Sequence, residues 1–497
     1  MRSRNCSEFT NPGHPALTTG SERSSEFIAK RRAYCIRLII ALTLVLFFMS
    51  SAMRYALSVS ADEPLNLNQL IDEALKNSPE LLVSETRVSA SKHKIPQAKS
   101  LPDPMFMFGY QNEGFNKFTL GEEPDAYGMF SLSQVFLFPG KQALKGEMAT
   151  KDMESLKAMH TATQLKIVTT VKQLYYDLFL AHKSIDILKE TTDFFSRIED
   201  AATARYSSGM GSQQEVVMAQ TEKYMLLEKE TMQKQKIETL TGMLNITIGR
   251  KANEPLGRAA NLPKTPYSQS LDELIQIAKT SSPEIKSREK MVEAAVAKVK
   301  MAQKEYYPDF TIGANYYPRT KGFQDMASLT ATINIPIFYK TKQDQAVLEA
   351  NANLLGAKRE LTSTEFMLSS AIRENYYMAQ TGEKLMTLYK DGVAPKIRQD
   401  FQLSLSSYAT GKVEAITAIS RLKALLDTEL LYWGQFVERE KAIARLEALT
   451  GKGSSEFPVL RSGRVATAEG GGVKSSEKNK AIKNPVNAGG GSGGKIQ

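Results

Sequence analysis

The sequence predicts a mainly α chain with a transmembrane β-barrel part, built from a duplicated helix-strand-strand-helix unit. Three observations predict it. Apolar residues recur every third or fourth position over stretches far longer than a globular helix. Four short segments alternate apolar and polar residues. The same succession of motifs runs twice, about two hundred residues apart.

Before the first repeat, Lys30-Arg31-Arg32 precedes the apolar run Leu38 to Phe48, and Val59-Ser60-Ala61 precedes Asp62. This is the order of a basic n-region, an apolar h-region and a small-residue cleavage site. An apolar run of 11 residues is too short for an anchor helix, which needs roughly 20. Residues 1–61 therefore read as a signal peptide with an extra polar prefix, Met1 to Ala29. Cys6 and Cys35 both lie within it, which leaves the exported chain without a disulfide.

The first repeat, residues 62–250, is read as helix 67–100, strands 105–110 and 127–138, long helix 142–206 and helix 212–248. A linker, 251–270, follows. The second repeat, 271–451, is read as helix 271–306, strands 310–317 and 327–338, long helix 342–407 and helix 413–450. Asn77-Ser78-Pro79-Glu80-Leu81 returns as Ser281-Ser282-Pro283-Glu284-Ile285, Tyr175-Tyr176 as Tyr376-Tyr377, and Tyr206-Ser207-Ser208-Gly209 as Tyr408-Ala409-Thr410-Gly411. Leu385, Tyr389, Val393, Ile397, Phe401, Leu405 and Tyr408 mark one buried stripe, and Ile416, Ile419, Leu422, Leu426, Leu430, Trp433 and Val437 another. A 66-residue helix is about 100 Å long. Two medium helices stacked end to end match it, and turns at Gly209 and Gly411 fold the chain back into hairpins.

In the strands, Leu329, Ala331, Ile333, Ile335 and Ile337 alternate with polar residues and Pro336, and Phe310, Ile312, Ala314 and Tyr316 alternate with Thr311, Gly313 and Asn315. Phe130, Leu132, Phe136 and Phe138 share a face that Gln134 interrupts. An apolar-out, polar-in pattern suits a barrel around water. Four strands are too few to close one, so three chains giving four strands each predict a twelve-stranded barrel and a homotrimer.

The formal charge of +10 resides at the ends: residues 1–61 and 452–497 carry +5 each, and the interval holds 48 basic and 48 acidic residues. A basic face for nucleic acid is not supported. Phosphate-loop, dinucleotide and His-Glu-x-x-His patterns are absent, and His93, His160 and His182 have no partner at ligand spacing, so no cofactor, metal site or enzyme activity is expected. The methionines, Met105 and Met107 among them, read as gap fillers, and Asn245-Ile246-Thr247 as a chance glycosylation match. The Gly, Ser and Lys-rich tail, 452–497, is expected to be disordered.

The duplicated plan, the opening Leu67 to Glu80 and the Tyr-x-x-Gly turns together resemble the TolC-type outer-membrane efflux proteins, over nearly all of residues 62–451. Leu101-Pro102-Asp103-Pro104, Ser133-Gln134 and Pro139-Gly140-Lys141 look more like the heavy-metal efflux branch than the drug-export branch. The resemblance implies an outer-membrane exit duct whose long helices form a periplasmic α-helical barrel. It also implies an equatorial role for the linker, and hairpin tips that gate the duct and meet a periplasmic adaptor of an inner-membrane pump, of the RND type. Tyr206, Gly209, Gly211, Glu215, Tyr408, Gly411, Lys412, Thr417 and Ser420 occupy those tips. Glu215 stands where the family carries a gate carboxylate; in the second half Thr417 and Ser420 replace the acidic pair, and Val413 replaces a basic partner. Glu215 is either a constriction carboxylate or a solvated helix-start residue held by the helix dipole. The competing function is a periplasmic coiled-coil scaffold or adaptor, which should carry one central hairpin flanked by sheet domains.

Overall fold

The computed structural model describes residues 64–451 apart from 261, 262 and 321. The signal-peptide and tail readings lie outside the described residues. In chain order the elements are α1 (Leu67–Asn77), α2 (Pro79–Lys99), β1 (Met105–Gln111), β2 (Tyr127–Phe136), α3 (Lys141–Ser207), α4 (Gln213–Ile248), α5 (Leu271–Ser281), α6 (Pro283–Lys304), β3 (Phe310–Tyr317), β4 (Met326–Ile333), α7 (Gln343–Thr387), the π turn Leu388–Val393, α8 (Ala394–Ala409) and α9 (Ala415–Leu449). Among the described residues no helix is long and apolar enough to cross a membrane.

Each repeat departs from its expected helices at a proline. The expected helices 67–100 and 271–306 are both broken, because Ser78 and Ser282 sit at ψ 122 and 125 ahead of Pro79 and Pro283. A residue before proline is pushed out of the helical region, and proline is well placed to start the next helix. The last strand ends at Ile333 rather than 338, since Pro336 has no N–H for a ladder. β2 likewise ends at Phe136, not 138. The expected helix 342–407 is interrupted by the π turn, immediately ahead of Pro395.

The four strands form one antiparallel sheet in the order β1-β2-β3-β4. Its register carries the membrane argument. Phe106 and Phe108 oppose Leu132 and Phe130, these oppose Ala314 and Tyr316, and those in turn oppose Leu329 and Ala327. Directly opposed residues share a face, so one face is an apolar band interrupted at Gln134, with Phe108 76% and Leu329 80% exposed. The other face carries Ser131, Ser133, Thr311, Asn315, Ser328, Thr330 and Thr332. Gln134, the polar exception in the band, donates through Nε2 to the Pro102 carbonyl at 2.7 Å. Within the protomer β1 and β4 each keep one unpaired edge.

Below the sheet, α3 runs 67 residues, about 100 Å at 1.5 Å per residue. It packs on α2 and α6 near the sheet and on α4 and α9 farther away. One apolar cluster joins Ile167 to Ala181 with Leu70, Ala74, Leu244, Ile248 and Phe436 at mid-height; a second joins Ile187 to Ala202 with Ala219, Leu226, Phe401, Tyr408, Ile419 and Leu422. The repeated tyrosine pair belongs to mid-height. Tyr175 Oη donates to the carbonyls of Leu65 (3.0 Å) and Ala260 (3.2 Å), which ties the start of the chain to the segment after α4. Tyr376 packs near Tyr267.

The sheet is fastened to the rods by one buried ammonium. Lys141, 2% exposed, reaches Asp309 Oδ1 at 2.9 Å and Glu305 Oε2 at 3.4 Å, and donates to the Tyr307 carbonyl at 2.9 Å. Asp309 also accepts from the Phe138 amide at 2.7 Å, and the Phe138 and Tyr307 rings stack at 4.5 Å. The Pro-Gly-Lys motif of the first repeat thereby clasps the Pro-Asp motif of the second. Removing one partner of a buried pair strands the other. Lys141→Met is expected to destabilise the folded chain by about 2–3 kcal/mol, read as a lower thermal midpoint in detergent; an unchanged midpoint would show the clasp to be inert.

Candidate functional site at the hairpin tips

Both hairpins turn on a left-handed glycine. Gly209 has φ +74° and Gly411 φ +75°, a conformation that side chains with Cβ adopt only at a cost. The Met210 amide bonds back to the Arg205 carbonyl at 2.8 Å, and the Lys412 amide to the Ser407 carbonyl at 2.9 Å, so each helix end is closed by its own backbone.

Arg205 joins the two turns. Its guanidinium lies 5.1 Å from the centroid of the Tyr408 ring, donates through Nη1 to the Tyr408 carbonyl at 3.1 Å and through Nη2 to the Met210 carbonyl at 3.2 Å. Nε is enclosed with no hydrogen-bond partner and stands 3.8 Å from Glu215 Oε2, close enough for Coulomb attraction but too far for a hydrogen bond. That same Glu215 oxygen accepts from Tyr408 Oη at 2.9 Å. Tyr408 is fully buried, and burial, with the neighbouring carboxylate, pushes its phenol up to about 12. It remains a donor throughout the physiological range.

Of the sequence-predicted tip residues, Glu215 and Tyr408 are therefore brought together across the two hairpins. Glu215 does stand in the first turn of α4, but it is not solvated, since its side chain is 16% exposed and engaged with the other repeat. Gly411 is crowded by the same arginine, and a Cβ there would meet Arg205 Nη1 at 2.9 Å; a Cβ on Gly211 would meet Arg205 Cβ at 2.9 Å. Tyr206 is half exposed and serves the turn through its carbonyl, which accepts from Gly209 at 3.0 Å. Lys412 and Ser420 are exposed and Thr417 half-buried; the structure does not draw these three into the contact, and Ser420 spends its hydroxyl on the Ile416 carbonyl at 2.7 Å. Arg205 was missed by sequence reasoning. Its only signal is that of a cation in a helix's last turn, which says nothing of the second hairpin. Higher up, Lys423 pairs with Glu222 at 2.9 Å between the hairpins, an exposed contact worth little.

Residues 70–225 and 274–452, one stretch in each repeat, match the profile of the family described as outer membrane efflux protein. The chain belongs to that family. As an outer membrane efflux protein it is a channel, placed in the outer membrane with its helical part in the periplasm. It is 20% identical over 397 residues to the cobalt-zinc-cadmium resistance protein CzcC of Cupriavidus metallidurans, covering 78% of this chain and 90% of CzcC. Its fold is similar to that of a membrane protein from Pseudomonas aeruginosa, with TM-score 0.71, 15% identity and coverage of 80% and 92%. It is also similar to the outer membrane protein VceC of Vibrio cholerae, with TM-score 0.66, 19% identity and coverage of 78% and 96%.

Two measurements bear on this efflux protein's helical part. A double-mutant cycle on Arg205→Ala and Glu215→Gln is expected to give a coupling of about 1 kcal/mol in stability; additive effects would dissolve the cross-hairpin contact. His160, 4% exposed, bonds through Nδ1 to Ser84 Oγ at 3.2 Å, and burial holds its imidazole below the usual value, with Glu85 opposing. Its stability contribution is present above the unfolded value, about pH 6.5, and is lost as the pH falls toward the folded one, because the unfolded chain takes up the proton first. The drop in thermal midpoint between about pH 7.5 and about pH 5 is expected to be smaller in His160→Phe than in the parent.

Proposed function

We propose that three copies close a twelve-stranded barrel on a helical tunnel, forming the passive exit duct of a tripartite efflux system. The single observation that carries this reading is the apolar band across β1 to β4 together with the two open edges. Lipid offers no partner for those backbone groups, and four strands cannot enclose a lumen. A neighbouring copy supplies the missing strand on each side, and three copies meet without an edge. The adaptor alternative is not favoured: it needs one hairpin and flanking sheet domains, whereas this chain has two hairpins hung from one lipid-facing sheet.

In this reading an inner-membrane pump, of the RND class, delivers cargo through a periplasmic adaptor that docks on the hairpin tips. The duct itself carries out no chemical step and uses no cofactor. The likeness to CzcC favours metal ions as cargo, ahead of drugs or other small molecules. The contact among Arg205, Glu215 and Tyr408 is the gate latch, since it ties the tip of one hairpin to the tip of the other inside each protomer.

The barrel is tested by mass: the detergent-extracted protein is expected at three chains per particle in the outer-membrane fraction, and recovery as a soluble monomer would end the duct reading. The latch is tested in planar bilayers, where Arg205→Ala and Glu215→Gln are each expected to raise single-channel conductance severalfold. Unchanged conductance in both would remove the gating role while leaving the duct.

A further inference from the structure

The polar face of the sheet carries three methionines on its first two strands. Met105 pairs with Ser133 and Met107 with Ser131, and Met129 stands opposite Gly109, so all three point to the side of the serines and threonines. Met105 is 57% and Met107 51% exposed. They fill no gap in a core, which is what methionine usually does and what the sequence suggests for them.

The second repeat shows that the positions do not ask for methionine. Counted from Pro102-Asp103 and Pro308-Asp309, 206 positions apart, Met105 and Met107 correspond to Thr311 and Gly313, which lie on the same polar face. The two strands hold the same place in their repeats with different side chains, and only the first offers sulfur.

The three thioethers are neighbours. Alternate residues of a strand stand about 7 Å apart, which sets Met107 beside Met105. Met129 is diagonal to Met107 across the ladder, a separation of about 7–8 Å that long side chains span. Gly109 opens the space between them, since a Cβ there would meet Met129 Cε at 3.1 Å; the Met129 side chain leans over the glycine. Met107 is the middle member. Met326 lies on the same face, opposite Tyr317, but Arg319 Nη2 donates to its sulfur at 2.7 Å, and a guanidinium there repels a cation.

We infer that Met105, Met107 and Met129 form a binding site for soft monovalent cations, silver(I) or copper(I), on the lumen wall of the barrel. This rests on the exit-duct reading, which makes the polar face the lumen, and names the class of ion that the wall holds. Thioethers are neutral, polarizable donors that select soft ions. Zinc and harder divalent ions favour thiolate, imidazole or carboxylate ligands, and β1 to β4 contain no cysteine, histidine or charged residue. His93, His160 and His182 lie on α2 and α3, away from the sheet. A site of neutral donors open to water also lets its ion go, as a conducting path requires.

The test is calorimetric titration of silver nitrate into the detergent-purified protein in chloride-free buffer. A saturable class of about one ion per chain is expected, and none with zinc nitrate. Met107→Leu is a volume-conserving change; it removes the middle donor and is expected to weaken the silver class at least about tenfold, while Met326→Leu leaves it unchanged. Equal silver affinity in Met107→Leu and the parent overturns the proposal, as does zinc binding that matches silver. Planar bilayers under a potassium nitrate gradient locate the site, because bound cations add fixed positive charge to the lumen. Saturating silver is expected to shift the reversal potential toward that of nitrate in the parent and not in Met107→Leu. Silver binding without that shift overturns the lumen position. A conducting trimer that ignores silver removes the site and leaves the duct, whereas recovery as a soluble monomer removes the duct and the lumen site together.

Discussion

Every feature of this chain answers to the two edges of its sheet. A strand edge in hydrocarbon leaves a row of N–H and C=O groups without partners, each costing several kcal/mol. β1 and β4 have such edges, and the face between them is apolar from Phe106 to Ile333 except at Gln134. The sheet is therefore stable in lipid only as part of a closed ring, and closure requires neighbouring sheets to arrive at a common height and tilt. That alignment is imposed from below. Lys141, Asp309 and Glu305 fix the point at which strands become rods, and the charges are satisfied only when both repeats are in place.

The rods in turn depend on length matching. α3 cannot bury its stripe against one medium helix, so α2 and α4 share the task in succession. Their junction falls at mid-height, where a helix has just ended and another begins, and where backbone groups would otherwise be left over. Tyr175 takes up two carbonyls there with one hydroxyl. Arg439, 4% exposed, donates to the Thr265 carbonyl at 2.8 Å and pairs with Glu440 beside it. Polar groups at mid-height thus hold the connecting segment against a core whose other members are apolar.

Much of this was legible in the chain because local chemistry and global plan agree. The alternation in β3 and β4, the helical stripes and the tip glycines each have a period or a backbone demand that one sequence displays. The Ser-Pro-Glu echoes were legible as repeats but misread as helix interior, although proline and the extended residue before it mark a boundary. Gln134 looked like a flaw in the apolar face; its partner is a carbonyl 32 residues away, which no periodicity reveals. Arg205 was illegible for the same reason. Its partners are Tyr408, 203 positions on, and a turn carbonyl, so its role exists only after both hairpins have folded side by side.

The proposed latch at the tips and the core above it answer opposite demands. A duct must not leak while idle, so its tips need contacts that are specific and desolvated enough to hold. Tyr408, fully buried with its phenol held protonated, and an arginine that satisfies two turn carbonyls meet that need. Opening at the tips must also leave the core beneath the sheet intact. The mid-height cluster containing Met386 and the lower cluster containing Phe401 are separate, so a change at the tips need not unpack the cluster nearer the sheet.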